Sequence, residues 1–257
     1  MTQNKTYLFA NWKMYLDYDE SNILANALAE KSKKFSDEIE MTVFPSALSL
    51  YPVAQTLSDV KINVGPQNIY WVDKGGYTGE TSAQMFKAAG SSHALIGHSE
   101  RRHLFHETNH DVRQKIEASL NAELTPVLCV GETEKERDEG KTEEIVEIQL
   151  RATLEDLNWP KDRELIVAYE PVWAIGTGNA CDPAEAERMH DKIFNWIKGL
   201  APGISPVLLY GGSVRGENVE GYLQMSHING VLVGGSSAKL ESWMEIIENS
   251  TRAVEKL

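Results

Sequence analysis

Cysteine is scarce in this 257-residue chain: only Cys129 and Cys181 occur, without the spacing of a metal pair or a CxxC redox motif. No disulfide is expected. Cys129, inside the apolar run Pro126-Val127-Leu128-Cys129-Val130, reads as a small buried thiol. Positive charge is also in short supply. A formal net charge of −13 argues against broad binding to nucleic acid or to an anionic membrane, because both need a basic footprint. An anionic small molecule remains compatible where local groups reverse the field. No apolar run reaches the ~18 residues of a membrane span. Met1 to Lys5 lacks the charged and apolar parts of a signal peptide, so a cytoplasmic location is expected. Long linkers and low-complexity segments are missing as well.

What is present is an average globular composition, 42% hydrophobic and 25% charged, sufficient for a sizeable core. Single α/β barrels commonly run to roughly 250 residues, so residues 1–257 are expected to form one domain. Short apolar runs alternate eight times with stretches of helical period. The runs are Tyr7–Ala10, Met41–Phe44, Ile62–Gly65, Ala94–Gly97, Thr125–Val130, Leu165–Tyr169, Val207–Tyr210 and Gly230–Val233. Several are apolar without alternation, as parallel strands covered on both faces should be. Helices are expected over Glu20–Phe35, Asp111–Asn121, Glu143–Leu157, Pro183–Gly199 and Leu240–Val254. Asp182, Pro183 and Glu185 supply the capping side chain, first-turn proline and early acid of a helix start. Eight strand–helix units predict an α/β fold, a single (β/α)8 barrel of eight parallel strands surrounded by helices.

In such a barrel the chemistry gathers where strands end and the following loops begin. Asn11-Trp12-Lys13 follows the first strand, and Lys13 is able to hold an anion or form a Schiff base, with a solvated lysine as the plain alternative. Gly97-His98-Ser99-Glu100-Arg101-Arg102 follows the fourth. A short helical turn starting there would disfavour imidazolium and leave His98 a neutral hydrogen-bond donor; a structural histidine is the alternative. Glu100 fits a salt bridge to Lys13 or Arg101 as well as it fits proton transfer. His93, His98, His103, His106 and His110 crowd together, and His106 with His110 has zinc-compatible i,i+4 spacing. Without HExxH or clustered carboxylates, no metal site is expected.

After the sixth strand, Glu170 stands just before a strand-stopping proline. It suits a general base whose pKa an apolar, closing site would raise, or else a structural ion pair. Pro171-Val172-Trp173-Ala174-Ile175-Gly176-Thr177-Gly178 has a rigid front, an apolar tip and glycines behind, as a hinged lid would, though an ordinary loop shares that composition. Gly211-Gly212-Ser213 and Gly234-Gly235-Ser236 follow the seventh and eighth strands. In such turns backbone amides approach a phosphate with no Cβ in the way.

Asn11-Trp12-Lys13-Met14, Gly97 to Arg102, Tyr169–Gly178, Gly211-Gly212-Ser213-Val214 and Gly230–Gly235 together resemble the triosephosphate isomerase family, in order along essentially the whole chain. The resemblance implies a cofactor-free isomerase of glycolysis and gluconeogenesis that interconverts glyceraldehyde 3-phosphate and dihydroxyacetone phosphate through an enediolate. It implies that Glu170 shuttles the proton and that neutral His98 polarises the carbonyl. Lys13 and Asn11 would support the negative charge, with Glu100 in the same site. Phosphate would be bound by Gly176, Ser213, Gly234 and Gly235 with Asn11 and Lys13, under a lid of Pro171 to Gly178. Cys129 and Glu132 match a supporting segment below the site. Gly75-Gly76-Tyr77-Thr78-Gly79-Glu80 resembles the family's protruding third loop, which implies a homodimer.

The chain departs from the usual pattern at Tyr15, where asparagine is common, at Asn229, where aspartate is common, and at Ser236-Ser237-Ala238, where Ala-Ser-Leu is common. Gly76-Tyr77 stands where Ala-Phe is usual. Two other readings stay on the table. One is another sugar-phosphate barrel enzyme, against which stand the lack of clustered metal ligands and of a sixth-strand lysine. The other is a phosphate-binding barrel without turnover, against which stand Lys13, His98 and Glu170 themselves.

Overall fold

The computed structural model describes residues 5–160, 163–175 and 180–255. Its strands are β1 (Thr6–Asn11), β2 (Ile39–Phe44), β3 (Ile62–Val64), β4 (His93–Ile96), β5 (Thr125–Val130), β6 (Ile166–Tyr169), β7 (Val207–Tyr210) and β8 (Gly230–Val233). All pair in parallel, in the order β3-β2-β1-β8-β7-β6-β5-β4. The two ends of that order meet. The Ser92 N–H donates to the Val64 carbonyl (2.9 Å) and the Leu95 N–H to the Pro66 carbonyl (3.0 Å), so β3 and β4 close the sheet into a barrel.

Around the barrel run α1 (Tyr18–Lys31), α2 (Leu50–Leu57), α3 (Ala83–Ala88), α4 (Ser99–Leu104), α5 (Asn109–Asn121), α6 (Glu134–Asp138), α7 (Thr142–Leu154), α8 (Pro183–Leu200), α9 (Gly216–Leu223) and α10 (Leu240–Val254). The expected strands and long helices are all there, with ends moved by a few residues. Asn11 belongs to β1 instead of following it, and α7 stops at Leu154. The short helices α2, α3, α6 and α9 were not legible, since five to eight residues hold too few turns to establish a period. At α8 the Asp182 carboxylate accepts the Ala184 N–H (2.9 Å), which is the capping the sequence predicted. The same helix buries Ala186, Met189, His190, Ile193 and Ile197, the stripe of an amphipathic helix lying on a sheet.

Strand alternation sorts the core into two layers. Leu8, Ala10, Met41, Val43, Leu128, Val130, Val167 and Tyr169 point outward and pack beneath the helices. Tyr7, Phe9, Phe44, Leu95, Val127, Cys129, Ile166, Ala168, Leu209 and Leu232 point inward and fill the barrel. Filling it needs glycine at one inward position in particular. A Cβ on Gly230 would come within 2.0 Å of the Tyr7 carbonyl, so the strands could not keep their spacing. Cys129 is thus a buried interior residue, and burial pushes its thiol well up.

Candidate active site

Two residues beyond the last inward hydrophobic of each strand, the barrel reaches its C-terminal mouth, and there the packing stops. The inward positions become Asn11 above Phe9, Gly131 above Cys129, Glu170 above Ala168, Gly211 above Leu209 and Gly234 above Leu232. The glycines make room for the glutamate. A Cβ on Gly131 would lie 1.8 Å from the Glu170 carbonyl, and one on Gly211 2.8 Å from Glu170 Cγ. A cavity opens above this layer, lined by Asn11, Lys13, His98, Glu170, Ile175, the Gly211–Arg215 turn and the Gly234–Ser236 turn. The sequence-predicted residues of five separate loops therefore meet in one place.

Lys13 is held in the left-handed region (φ 48), a conformation that costs a lysine on the order of 1–2 kcal/mol. Three contacts over-determine it. Its N–H donates to Asn11 Oδ1 (3.0 Å), its carbonyl accepts from Gln67 Nε2 (2.7 Å), and its ammonium pairs with Glu100 Oε1 (2.7 Å). Of the two partners the sequence offered Glu100, the structure takes Lys13. Gln67 also donates to the Phe44 carbonyl (2.9 Å), tying the Lys13 turn to the end of β2. Nothing in the sequence singled out Gln67, because its role depends on three loops meeting in space.

His98 caps α4, and its Nδ1 accepts the Glu100 N–H (3.2 Å). A ring nitrogen that accepts cannot carry the proton, so the proton of the neutral imidazole is on Nε2. That nitrogen lies 2.9 Å from Glu170 Oε1, to which it donates. The second Glu170 oxygen accepts the Ser99 N–H (2.9 Å). Both side chains are buried. Burial pushes the Glu170 carboxyl up, but the hydrogen bonds it accepts from His98 and the Ser99 N–H, with the Lys13 charge nearby, push the other way, and the net direction is down. The sequence-based expectation of a raised pKa is corrected here: the apolar surroundings are outweighed by the donors that ring the carboxylate.

Below the mouth, Glu132 gathers three groups. It accepts from the Tyr169 hydroxyl (3.1 Å) and from Trp173 Nε1 (2.8 Å), and its own carbonyl takes the Val172 N–H (3.0 Å). Burial pushes the Glu132 carboxyl up. The Arg137 guanidinium lies 3.7 Å above the Trp173 ring. The front of the segment after β6 is therefore gripped at Val172 and Trp173, and farther on the Ser213 hydroxyl donates to the Ala174 carbonyl (2.5 Å). Gly176, Thr177 and Gly178 lie outside the described residues. Arg102 is another residue whose role has no signal in its own stretch of sequence. It joins the ends of β4 and β5 by donating to the Gly97 (2.7 Å) and Cys129 (3.2 Å) carbonyls. Among the described residues no three His, Cys, Asp or Glu side chains converge as a metal ion would need.

The cavity thus holds a carboxylate in contact with a neutral imidazole, an ammonium group, and two glycine turns able to receive an anion. The sequence model of the triosephosphate isomerase family matches residues 6–250. Proteins named triosephosphate isomerase are similar over nearly their whole length. The one from Dictyoglomus turgidum is 39% identical over 243 residues, 93% of this chain and 97% of its own. The one from Bdellovibrio bacteriovorus is 40% identical over 242 residues, 94% and 98%. One from Leptospira interrogans is 40% identical over 247 residues, 94% and 99%.

Proposed function

This chain belongs to the triosephosphate isomerase family, its reaction is the isomerisation of a triose phosphate, and we propose that Glu170 is the base that moves the proton. The observation that carries the assignment is the buried contact of Glu170 with His98 Nε2 (2.9 Å) at the floor of a cavity shared with Lys13 and both glycine turns. Interconversion of glyceraldehyde 3-phosphate and dihydroxyacetone phosphate needs a proton taken from the carbon beside the carbonyl. The released electron pair forms an enediolate, and the proton returns to the neighbouring carbon. Both Glu170 oxygens hold hydrogen bonds, so reaching a substrate carbon means turning away from Ser99 and His98. The same turn frees the His98 N–H for the substrate oxygens, where charge develops. Lys13, with Asn11 fixing its backbone, adds positive charge beside them, and Glu100 holds the ammonium in place.

The phosphate takes the amides of Gly234 and Gly235 and the Ser213 side, with Gly176 from the lid of Pro171 to Gly178. A carbonyl substrate isomerised this way needs no cofactor. Purified protein should therefore wash deuterium from the C2 position of labelled glyceraldehyde 3-phosphate into solvent with nothing added; retention of the label during turnover would reject proton transfer through solvent-exchangeable Glu170.

A homodimer is part of the same proposal. The Gly75–Glu80 loop projects with Tyr77 half exposed, and beside Gly79 and Glu80 lies a cleft whose walls include Met14, Ala47 and Phe105 and whose floor is Asn11 and Lys13. Met14 (96% exposed), Leu48 (73%) and Phe105 (64%) leave large apolar side chains bare for a partner to cover. A second copy, inserting its own Gly75–Glu80 loop, would cover them and back the catalytic turn. Deleting Gly76–Gly79 is expected to give monomers by sedimentation equilibrium, with kcat reduced at least tenfold as Asn11 and Lys13 lose that backing, on the order expected when positioning is loosened. A monomeric wild type at micromolar concentration would end the idea. Among the described residues no helix is long and apolar enough to cross a membrane, and we assign the protein to the cytoplasm with the glycolytic reaction.

A further inference from the structure

We propose that Tyr15 is a phosphate-binding residue of this chain, its hydroxyl donating a hydrogen bond to the ester phosphate seated at Gly234 and Gly235. The inference rests on the phosphate cradle assigned above. Lys13 and Tyr15 stand two residues apart on one tight turn, closed by the Tyr15 N–H on the Trp12 carbonyl (3.2 Å). The left-handed Lys13 backbone sends both side chains toward the turn after β8. They meet it in step. A Cβ built on Gly234 would lie 3.6 Å from Lys13 Nζ, and one built on Gly235 would lie 3.7 Å from the Tyr15 hydroxyl and 3.6 Å from its ring edge. Lysine over one glycine and phenol over the next thus flank the peptide that the phosphate would approach, and both line the cavity that holds His98, Glu170 and Ser213.

Three further facts favour a ligand over a packing role. Tyr15 is 61% exposed, so its ring is not in the core. Among the described residues its hydroxyl has no hydrogen-bond partner, while Lys13 beside it already spends charge on Glu100. And the fold brings Tyr15 and Ser236 to the same rim of the cavity. A phenol can donate to a phosphate oxygen as a neutral group, which suits a site whose one lysine is shared.

The test uses full-length enzyme and inorganic phosphate as a competitive inhibitor. Tyr15→Phe removes only the hydroxyl. It should raise both the inhibition constant for phosphate and KM by about three- to tenfold and leave kcat within about twofold, because a contact made equally in ground and transition states is uniform binding. The thermal midpoint should not move. Unchanged KM and inhibition constant in Tyr15→Phe, with phosphate still competing against the wild type, would overturn the role of Tyr15 alone. Weakening in Tyr15→Leu but not in Tyr15→Phe would assign the effect to the ring and overturn it as well. If phosphate does not compete with substrate in the wild type, the cradle itself is misassigned and the inference falls with it.

Discussion

Glu170→Gln is expected to lower kcat by about three orders of magnitude or more, while the protein folds and keeps most of its affinity for a phosphorylated ligand. A positioned general base contributes about 10²–10⁴-fold by itself. The amide cannot take the proton, and it also misreads the site. One of its two ends still accepts the Ser99 N–H, as Glu170 Oε2 does now (2.9 Å), but the other then presents N–H groups to the His98 N–H that Glu170 Oε1 receives (2.9 Å). Two donors face each other, so the His98 ring shifts and its hydrogen bond to a substrate oxygen loosens. The loss should therefore exceed that of a base alone. A coupled assay at saturating triose phosphate, with circular dichroism to verify the fold, measures it. A kcat within tenfold of wild type would remove Glu170 from the mechanism.

The charge state of Glu170 adds a pH signature. Its pKa is held below the ordinary carboxylate value of 4.5, so the group is ionised across the neutral range. Activity owed to this base is full above that pKa and fails as pH drops through it. The substrate phosphate, with a second pKa of about 6, changes charge first. The acid limb of kcat/KM should consequently hold two steps, the upper one shared by any inhibitor that carries a phosphate monoester and the lower one lying under pH 4.5. A single limb near pH 7 that inhibitors do not share would mean that the base is another group.

How much of this could be read from the chain differs by level. The barrel was legible because parallel strands buried on both faces become unbroken apolar runs, and Leu165–Tyr169 or Thr125–Val130 admit few other readings. Its mouth was legible because polar and glycine-rich clusters recur after strand ends, which brought out Lys13, His98, Glu170, Ser213, Gly234 and Gly235 together. What stayed hidden was whatever depends on a second segment. Gln67 holds two carbonyls on different loops, Arg102 joins β4 to β5, and Gly131 is required by the Glu170 backbone, 1.8 Å from where its Cβ would be. Each looks ordinary in its own sequence window. The direction of the Glu170 pKa failed for the same reason, since its donors Ser99 and His98 lie on another strand's loop, more than seventy positions away. Tyr15 stands two residues from Lys13 in the sequence, but only the approach of Gly235 shows what its ring faces.

His98→Gln is expected to cost about 10²–10³-fold in kcat with KM changed only severalfold, which would divide its task from that of the phosphate cradle. The Glu100 N–H occupies Nδ1 (3.2 Å), leaving Nε2 as the donor toward Glu170 and, once Glu170 turns to substrate, toward the carbonyl oxygen. A neutral imidazole is a weak acid, and that is what this reaction asks of it. As the enediolate forms, the basicity of its oxygens rises far above that of the carbonyl, and a hydrogen bond from a donor of comparable acidity strengthens in step. An amide N–H reaches the same region but is a poorer match and cannot pass its proton between the two oxygens. The substrate carbonyl, still uncharged in the ground state, barely distinguishes the two side chains, hence the small change in KM. Nitrogen-15 spectra of labelled histidine should show His98 protonated on Nε2 and unprotonated on Nδ1 at neutral pH, with the signal persisting when a phosphorylated inhibitor binds. An imidazolium spectrum in the inhibitor complex, or a His98→Gln variant that loses affinity while turning over normally, would make the histidine a charge that binds substrate and leave the enediolate to Lys13.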